Sequence, residues 1–425
     1  MEQKERLIID NFFSIEHFDW EIKDFNILTG EMASGKSLCL KLVHFVEQVF
    51  HQNIFFTSIS KDTFTKEVFY NNLSEKFYTV FHSTEKENDF RETSIDYSYT
   101  YLDTTFDLCA KWNNDSKKLE WNSEYINRRL DEWRGFFTNG NAPDAAKNVR
   151  TQIHERLVHD FSSTFPIGVE FIPASRAIAA IATPSDIPDS FLESFIKGDK
   201  PFVLNFEELS DERVNKILHL KNITVRKNRT TNEKTLEVEA LDGRKITPLE
   251  LSSGQQELIY LLLLIRNLYR TSFTYGRTIS ILIEEPSAHL FPHEQKESIE
   301  YIVRIFRDLQ ETEESDKIRF FVSTHSPYVL NVINNMLKKG YLIRKTNDCT
   351  DEIKKEQIRK EIEELAFPHL TVDEISAHFI QKKVDSMISE SENGAYLYQD
   401  MIEKISQNIE DDFKKVKKLL RRFKD

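Results

Sequence analysis

The sequence predicts an α/β fold, and three observations carry that prediction. An apolar strand pattern, Phe25-Asn26-Ile27-Leu28-Thr29, runs into a glycine loop and then an apolar-faced helix. Apolar strands alternate with helices again after Leu251. The middle does not alternate, which marks it as an insertion into the α/β core.

Each element follows in order. Residues 7–12 and 20–22 have the pattern of two short strands around a turn. Beyond the glycine loop, Leu38, Leu40, Leu42, Val43, Val46 and Phe50 recur near helical spacing. Residues 53–107 are rich in Thr, Ser, Tyr and Phe and alternate at 94–102, predicting an antiparallel sheet. Residues 108–162 carry Trp112, Trp121 and Trp133 among charges at helical spacing, broken at 139–143, and predict a short helical arm. A strand pattern returns at 165–172, and 186–220 has a helical pattern. Asp242-Gly243, flanked by apolar alternation, signals a hairpin. A Leu-rich helix (257–269), a strand (278–283), a helix after Pro292 and a strand (318–323) complete the core, and short strands and charged helices follow. The expected organisation is a first core half with its antiparallel region (1–107), the arm (108–162), a second core half (163–340) and a C-terminal α/β extension with a basic tail (341–425).

Composition bounds the function. The chain has 425 residues, 40% hydrophobic and 30% charged, a globular profile with a large core. No apolar run approaches the roughly 18 residues a membrane helix needs. The charged opening, Met1-Glu2-Gln3-Lys4-Glu5-Arg6, does not have the pattern of a signal or transit peptide. Cys39, Cys109 and Cys349 give neither zinc spacing nor a disulfide framework, so a reducing cytoplasm is the expectation. A net charge of −13 argues against a surface coated for nucleic acid. The tail, with Lys414, Lys415, Lys417, Lys418, Arg421, Arg422 and Lys424, is either a solvated helix end or a contact for nucleic acid or an acidic partner.

Four motifs carry chemistry. Gly30-Glu31-Met32-Ala33-Ser34-Gly35-Lys36-Ser37 matches the phosphate loop G-x-x-x-x-G-K-[ST]. Its glycines let backbone N–H groups turn inward around phosphates. Lys36 would reach the β- and γ-phosphates and Ser37 would offer its hydroxyl to Mg²⁺. The helix starting near Lys36 points its positive end at the same anion. An apolar strand ends in Glu284-Glu285-Pro286, one acid placed to bind Mg²⁺ through water and the next to polarise an attacking water. Leu251-Ser252-Ser253-Gly254-Gln255 opens a helix and serves as an anion site, an ordinary N-cap, or both. A last strand ends in Thr324-His325-Ser326-Pro327, where the histidine can meet a γ-phosphate or a water.

In this order the four elements resemble the ABC-type ATPases, in particular their SMC/RecF/OLD branch. The signature L-S-G-G-Q appears as Leu251-Ser252-Ser253-Gly254-Gln255. Residues 284–292, Glu-Glu-Pro-Ser-Ala-His-Leu-Phe-Pro, resemble the E-E-P-x-A-H-L-x-P form of that branch. Thr324-His325-Ser326-Pro327 resembles its switch loop, residues 9–15 its N-F-x-S-I opening strand, and Phe171-Ile172-Pro173-Ala174-Ser175-Arg176 its I-P-A-x-R segment. The resemblance implies an ABC-ATPase-like core with a mixed sheet, an antiparallel β subdomain and a short helical insertion. It also implies ATP and Mg²⁺ as ligands and a homodimer or higher homo-oligomer. Each ATP would lie between one chain's loop, with Gly30, Glu31, Ser34, Gly35, Lys36 and Ser37, and Ser252 and Gly254 of the other. By the same resemblance Glu285 is the catalytic base, Glu284 and Ser37 the Mg²⁺ side, His325 the γ-phosphate sensor, and Arg176 a nucleotide-site residue.

The departures are Ser253 in place of the middle signature glycine, Glu284 where many relatives carry Asp, no placed Q-loop glutamine, and an arm too short for an SMC coiled coil. Asp373-Glu374 and Asp411-Asp412 do not form a strand-borne nuclease centre. The C-terminal stretch resembles ATPase-only subunits of phage-defence systems such as Septu and PARIS, which implies a separately encoded effector, possibly a nuclease. The expectation is a cytoplasmic ATPase acting as sensor or scaffold. A RecF/SMC-type DNA-repair ATPase is the alternative, and a P-loop kinase is a third, which has no need of the signature.

Overall fold

The computed structural model describes residues 3–49, 65–81, 90–136, 142–161, 165–166, 168–174, 212–227, 234–247, 250–275, 278–310, 318–391 and 394–397. Two sheets organise them. The central sheet has six strands. They are Asp385–Ser386 (β14), Ile375–Ile380 (β13), Phe25–Gly30 (β3), Ile318–Thr324 (β12), Ile279–Glu284 (β11) and Gly168–Ile172 (β7), in that spatial order. From β13 to β7 every pairing is parallel, and β14 is antiparallel at the edge.

A parallel sheet covered on both faces needs apolar side chains on both. Here they sort with period two. Leu28, Leu282 and Phe321 join one core, while Phe25, Ile27, Ile281, Ile283, Phe320 and Val322 join the other. The first core lies under α1 (Lys36–Gln48). The helix also packs on the second sheet, the antiparallel β2-β1-β4-β5-β6. Those strands are Gln3–Phe12 (β1), Ile15–Ile22 (β2), Ser94–Tyr101 (β4), Thr104–Asn113 (β5) and Lys118–Asn122 (β6). Phe45 of α1 packs against Trp121 of that sheet, the ring centroids 5.4 Å apart and the rings tilted. The second core lies under the helices Ser253–Tyr275 (α6), Pro292–Gln310 (α7) and Pro327–Asn347 (α8).

One buried ionic cluster ties these layers together. Arg319 of β12, 1% exposed, bonds Glu5 of β1, Glu47 of α1 at 2.6 Å and Ser280 of β11 at 2.9 Å. Tyr97 of β4 donates to Glu5 at 2.9 Å. Two carboxylates share one guanidinium away from water. Burial, with Glu5 adding to it, pushes the Glu47 carboxyl up to about 8 against the pull of Arg319.

The structure corrects several expectations. Residues 66–80 form a helix (α2, Lys66–Val80) within the stretch expected to be sheet. Phe69, Tyr70, Leu73, Phe77 and Val80 are buried at helical spacing, and Thr65 caps the first turn. The expected break at 107/108 falls inside β5, whose Phe106, Leu108 and Ala110 all face the core. β5 and β6 are joined through Asn113, whose Oδ1 accepts from Asp115 and Ser116, so Trp112 and Trp121 are strand residues. Only Glu124–Gly135 (α3) and Ala142–Phe161 (α4) make up the helical arm.

The expected break at 340/341 falls inside α8. A β-carbon at Gly340 would meet Leu370 O at 2.1 Å, so that glycine permits a close approach instead of ending the helix. The C-terminal segment is therefore not an appendage. After Glu352–Glu364 (α9), its strand β13 lies against the loop-bearing strand, Ile380 opposite Gly30. The expected hairpin is present as Lys234–Ala240 (β9) and Lys245–Ile246 (β10), beside Leu220–Lys227 (β8). A short helix, Glu212–Ile217 (α5), precedes it, so Leu220, expected in a helix, opens a strand instead. Most of 186–220 and the basic tail lie outside the described residues.

Candidate functional site

The carboxyl ends of β3, β12 and β11 lie side by side. Thr324 pairs with Thr29, and Ser323 with both Leu28 and Glu284. Ligands in open α/β sheets bind at this edge. β3 delivers Gly30 there with φ 148°, and Gly35 has φ 108°. A β-carbon would lie 2.3 Å from Ile380 O at Gly30 and 2.9 Å from Ser14 Oγ at Gly35, so the turn admits only glycine at both.

The loop then enters α1 without a cap. Gly35 offers no side-chain bond, and no acid occupies the first turn. The leading amides of such a helix have no carbonyl within it to bond, and its dipole favours an anion. Lys36, 8% exposed, folds back so that Nζ donates to Gly30 O at 2.9 Å and Glu31 O at 2.7 Å. Burial lowers its pKa, and the Glu285 carboxylate opposes that shift. Ser34 Oγ is buried without a hydrogen-bond partner among the described residues, while Ser34 O accepts from Ser14 Oγ at 3.0 Å. Glu31 and Ser37 are exposed at the mouth. A cationic cradle with an orphaned hydroxyl and an uncapped helix start suits a phosphate.

The two acids diverge as strand geometry requires. Glu284 ends β11 in the buried set, and its Oε2 accepts from Ala174 N at 3.2 Å. Glu285 turns off the strand with φ 45°, a costly conformation for a non-glycine residue, fixed by its N–H donating to Ser323 O at 2.8 Å. The turn brings its carboxylate to His325, where Oε1 meets Nδ1 at 2.8 Å and Oε2 accepts from the backbone N–H at 3.3 Å. His325 is 63% exposed, and the pair can hold or move a proton at the sheet edge. Among the described residues no group of three or more His, Cys, Asp or Glu side chains could hold a metal by itself. A Mg²⁺ bound with phosphates needs only one or two protein ligands, which Ser37 and Glu284 can supply.

Ser252 and Gly254 sit elsewhere on this edge. Ser252 and Gln255 form a reciprocal capping box, Gln255 N to Ser252 Oγ at 3.3 Å and Ser252 N to Gln255 Oε1 at 3.1 Å. The segment is thus an N-cap, with Ser252 as the capping residue and Gln255 as its partner. Gly254 packs under residues 289–290, where a β-carbon would meet His289 O at 2.9 Å. Ser252 and Ser253 are exposed, and the contacts described for this segment run to residues 218, 289 and 290 and not to the phosphate loop. Arg176 lies outside the described residues.

Residues 25–331, more than two thirds of the chain, match the family described as "AAA domain, putative AbiEii toxin, Type IV TA system". The chain belongs to this AAA family. Comparison with curated proteins returned no match. Among solved structures, the chain is similar to the SMC head domain from Thermotoga maritima at 11% identity and TM-score 0.39, over 92% of this chain and 100% of that one. It is similar to an SMC head bound to the C-winged helix domain of ScpA at 11% identity and TM-score 0.42, over 90% and 97% of the two chains.

In this AAA-family chain one site residue escapes sequence reasoning. Gln295, in the first turn of α7, donates from Nε2 to Leu290 O at 2.9 Å and accepts at Oε1 from Ser326 Oγ at 2.6 Å. In the sequence it is one polar residue of a charged helix; only the fold puts Ser326 beside it. Among the described residues no helix is long and apolar enough to cross a membrane.

Proposed function

We propose that this chain binds and hydrolyses ATP at the loop of residues 30–37, between two copies of itself, as the sensor or scaffold for a separately encoded effector in the cytoplasm. One observation carries the reading. A phosphate cradle, its lysine and the Glu285–His325 pair converge on one sheet edge.

In this reading the loop amides, Ser34 Oγ and Lys36 Nζ hold the β- and γ-phosphates, Lys36 leaving the carbonyls of Gly30 and Glu31 to do so. Ser37 and Glu284 are the residues that would hold Mg²⁺, and a bound Mg²⁺ supplies charge neutralisation at the phosphate oxygens. Glu285 takes the proton of the attacking water. His325 holds that carboxylate at Nδ1 and leaves its other ring nitrogen for the γ-phosphate. Ser252 and Gly254 serve the partner's nucleotide, and Arg176 is proposed as a further nucleotide contact. Support for a second copy comes from three exposed apolar side chains in segments of this edge: Met32 (89%), Phe291 (75%) and Tyr328 (50%). The effector role, in bacterial antiphage defence, rests on the resemblance of the C-terminal stretch to ATPase-only defence subunits.

The test is calorimetry with ATP and Mg²⁺ on the wild type and Lys36→Ala, followed by turnover against protein concentration. The expected results are binding by the wild type alone and turnover that rises faster than linearly. Glu285→Gln should keep binding and lose about 10²–10⁴-fold in turnover. A wild type that binds no ATP overturns the proposal; linear turnover overturns its dimeric part.

A further inference from the structure

The geometry points to Gln295 as a positioning residue that couples the signature face of each chain to the Glu285–His325 pair of the same chain. The inference rests on the ATP-sandwich reading above.

The path is continuous. Gly254 packs against His289 O and the Leu290 side chain, with 2.9 and 3.1 Å to a β-carbon built there. Leu290 O accepts from Gln295 Nε2 at 2.9 Å, and Gln295 Oε1 accepts from Ser326 Oγ at 2.6 Å. Ser326 follows His325, whose ring and backbone N–H both hold Glu285. The two ends are thus linked through one amide side chain.

The polarity of the path is fixed. A backbone carbonyl can only accept, so the Gln295 NH₂ must face Leu290. Its oxygen then faces Ser326, whose hydroxyl must donate. That hydroxyl is left as acceptor for Val329 N at 3.4 Å, the cap of α8. A flipped amide would break both contacts. Gln295 stands on a regular helix, so its reach is set by backbone that does not bend freely.

The consequence is communication between two nucleotides. In the sandwich, Ser252 and Gly254 touch the partner's ATP, while Glu285 and His325 act on the chain's own. A shift of residues 289–290 on engagement would pass through Gln295 to Ser326 and re-aim His325. Coupling between sites of this kind is worth about 5- to 150-fold.

The experiment measures ATP affinity, kcat and the Hill coefficient of hydrolysis for wild type, Gln295→Met, Ser326→Ala, Ser326→Thr and the Gln295→Met/Ser326→Ala double variant. Gln295→Met should keep ATP affinity within about twofold, lose about 5- to 20-fold in kcat and lower the Hill coefficient from about 2 toward 1. Ser326→Thr keeps the hydroxyl and should behave as wild type. The double variant should lose no more than Gln295→Met, because one path is already cut. If Gln295→Met does not fold, Gln295→Glu replaces it: it still accepts from Ser326, sets an acceptor against Leu290 O, and should show the same loss. A fall in kcat with an unchanged Hill coefficient would reduce Gln295 to local packing and overturn the coupling. A wild type that binds ATP with a Hill coefficient of 1 would overturn it too, leaving the sandwich intact. A wild type that binds no ATP defeats the sandwich itself, and the coupling with it.

Discussion

Arg319→Met should be the most damaging single change in the fold that leaves the nucleotide loop untouched. Arg319 is 1% exposed and bonds Glu5, Glu47 at 2.6 Å and Ser280 at 2.9 and 3.2 Å. Methionine fills much of the volume but leaves two buried carboxylates with no cation between them. Removing one partner of a buried pair costs about 3–5 kcal/mol. With typical unfolding free energies of about 5–15 kcal/mol, that is about a fifth of the total or more. Urea unfolding should show the midpoint falling with an unchanged slope. Adding Glu5→Gln to Arg319→Met should recover part of the loss, because the carboxylate left without its guanidinium is then gone. A loss below about 1 kcal/mol for Arg319→Met, or no recovery in the double variant, would refute the account of a shared cation.

Two further outcomes follow from the same structure. Glu47 is held up near 8 in the folded chain, against 4.5 as its ordinary value, so between those pH values the folded chain keeps a proton that the unfolded chain has lost. Stability from this group is complete below pH 4.5, falls as the pH rises above it, and is gone above about 8. Urea melts at three pH values should show that decline in the wild type, and Glu47→Gln should flatten it; parallel slopes would remove Glu47 as the cause. Gly30→Ala puts a methyl 2.3 Å from Ile380 O at a φ of 148°, and should weaken ATP binding at least tenfold by calorimetry while α-helical circular dichroism is retained.

What the sequence reveals here is what short stretches decide alone. The phosphate loop was legible because its glycines, lysine and flanking apolar patterns lie within about two dozen residues. The divergence of Glu284 and Glu285 followed from strand alternation, and the N-cap at 251–255 from serines that open a helix. Composition misled where it stood in for period. The stretch 53–107, rich in Thr, Ser, Tyr and Phe as a whole, hides at 66–80 a helix whose buried residues recur at helical spacing. Trp112 and Trp121, on paired strands, invited a helical reading because each is surrounded by charge. Long-range partners left no local mark. Arg319 finds Glu5 across 314 positions, and Gln295 finds Ser326 across 31. Each is one polar residue in an otherwise ordinary pattern until the chain closes.

The neighbour of the loop-bearing strand has a consequence for how the protein comes into being. β13 pairs with β3 from Ile375 opposite Phe25 to Ile380 opposite Gly30, about 350 residues apart in the chain and beyond the segment that matches the family. A polypeptide emerging from the ribosome exposes β3 with one edge unpaired until residues 375–380 have been made. Closing so large a loop comes late in folding. The nucleotide cradle is therefore among the last parts to mature, and a chain ended before residue 375 would carry every motif of the site and still lack the wall against which Gly30 is set.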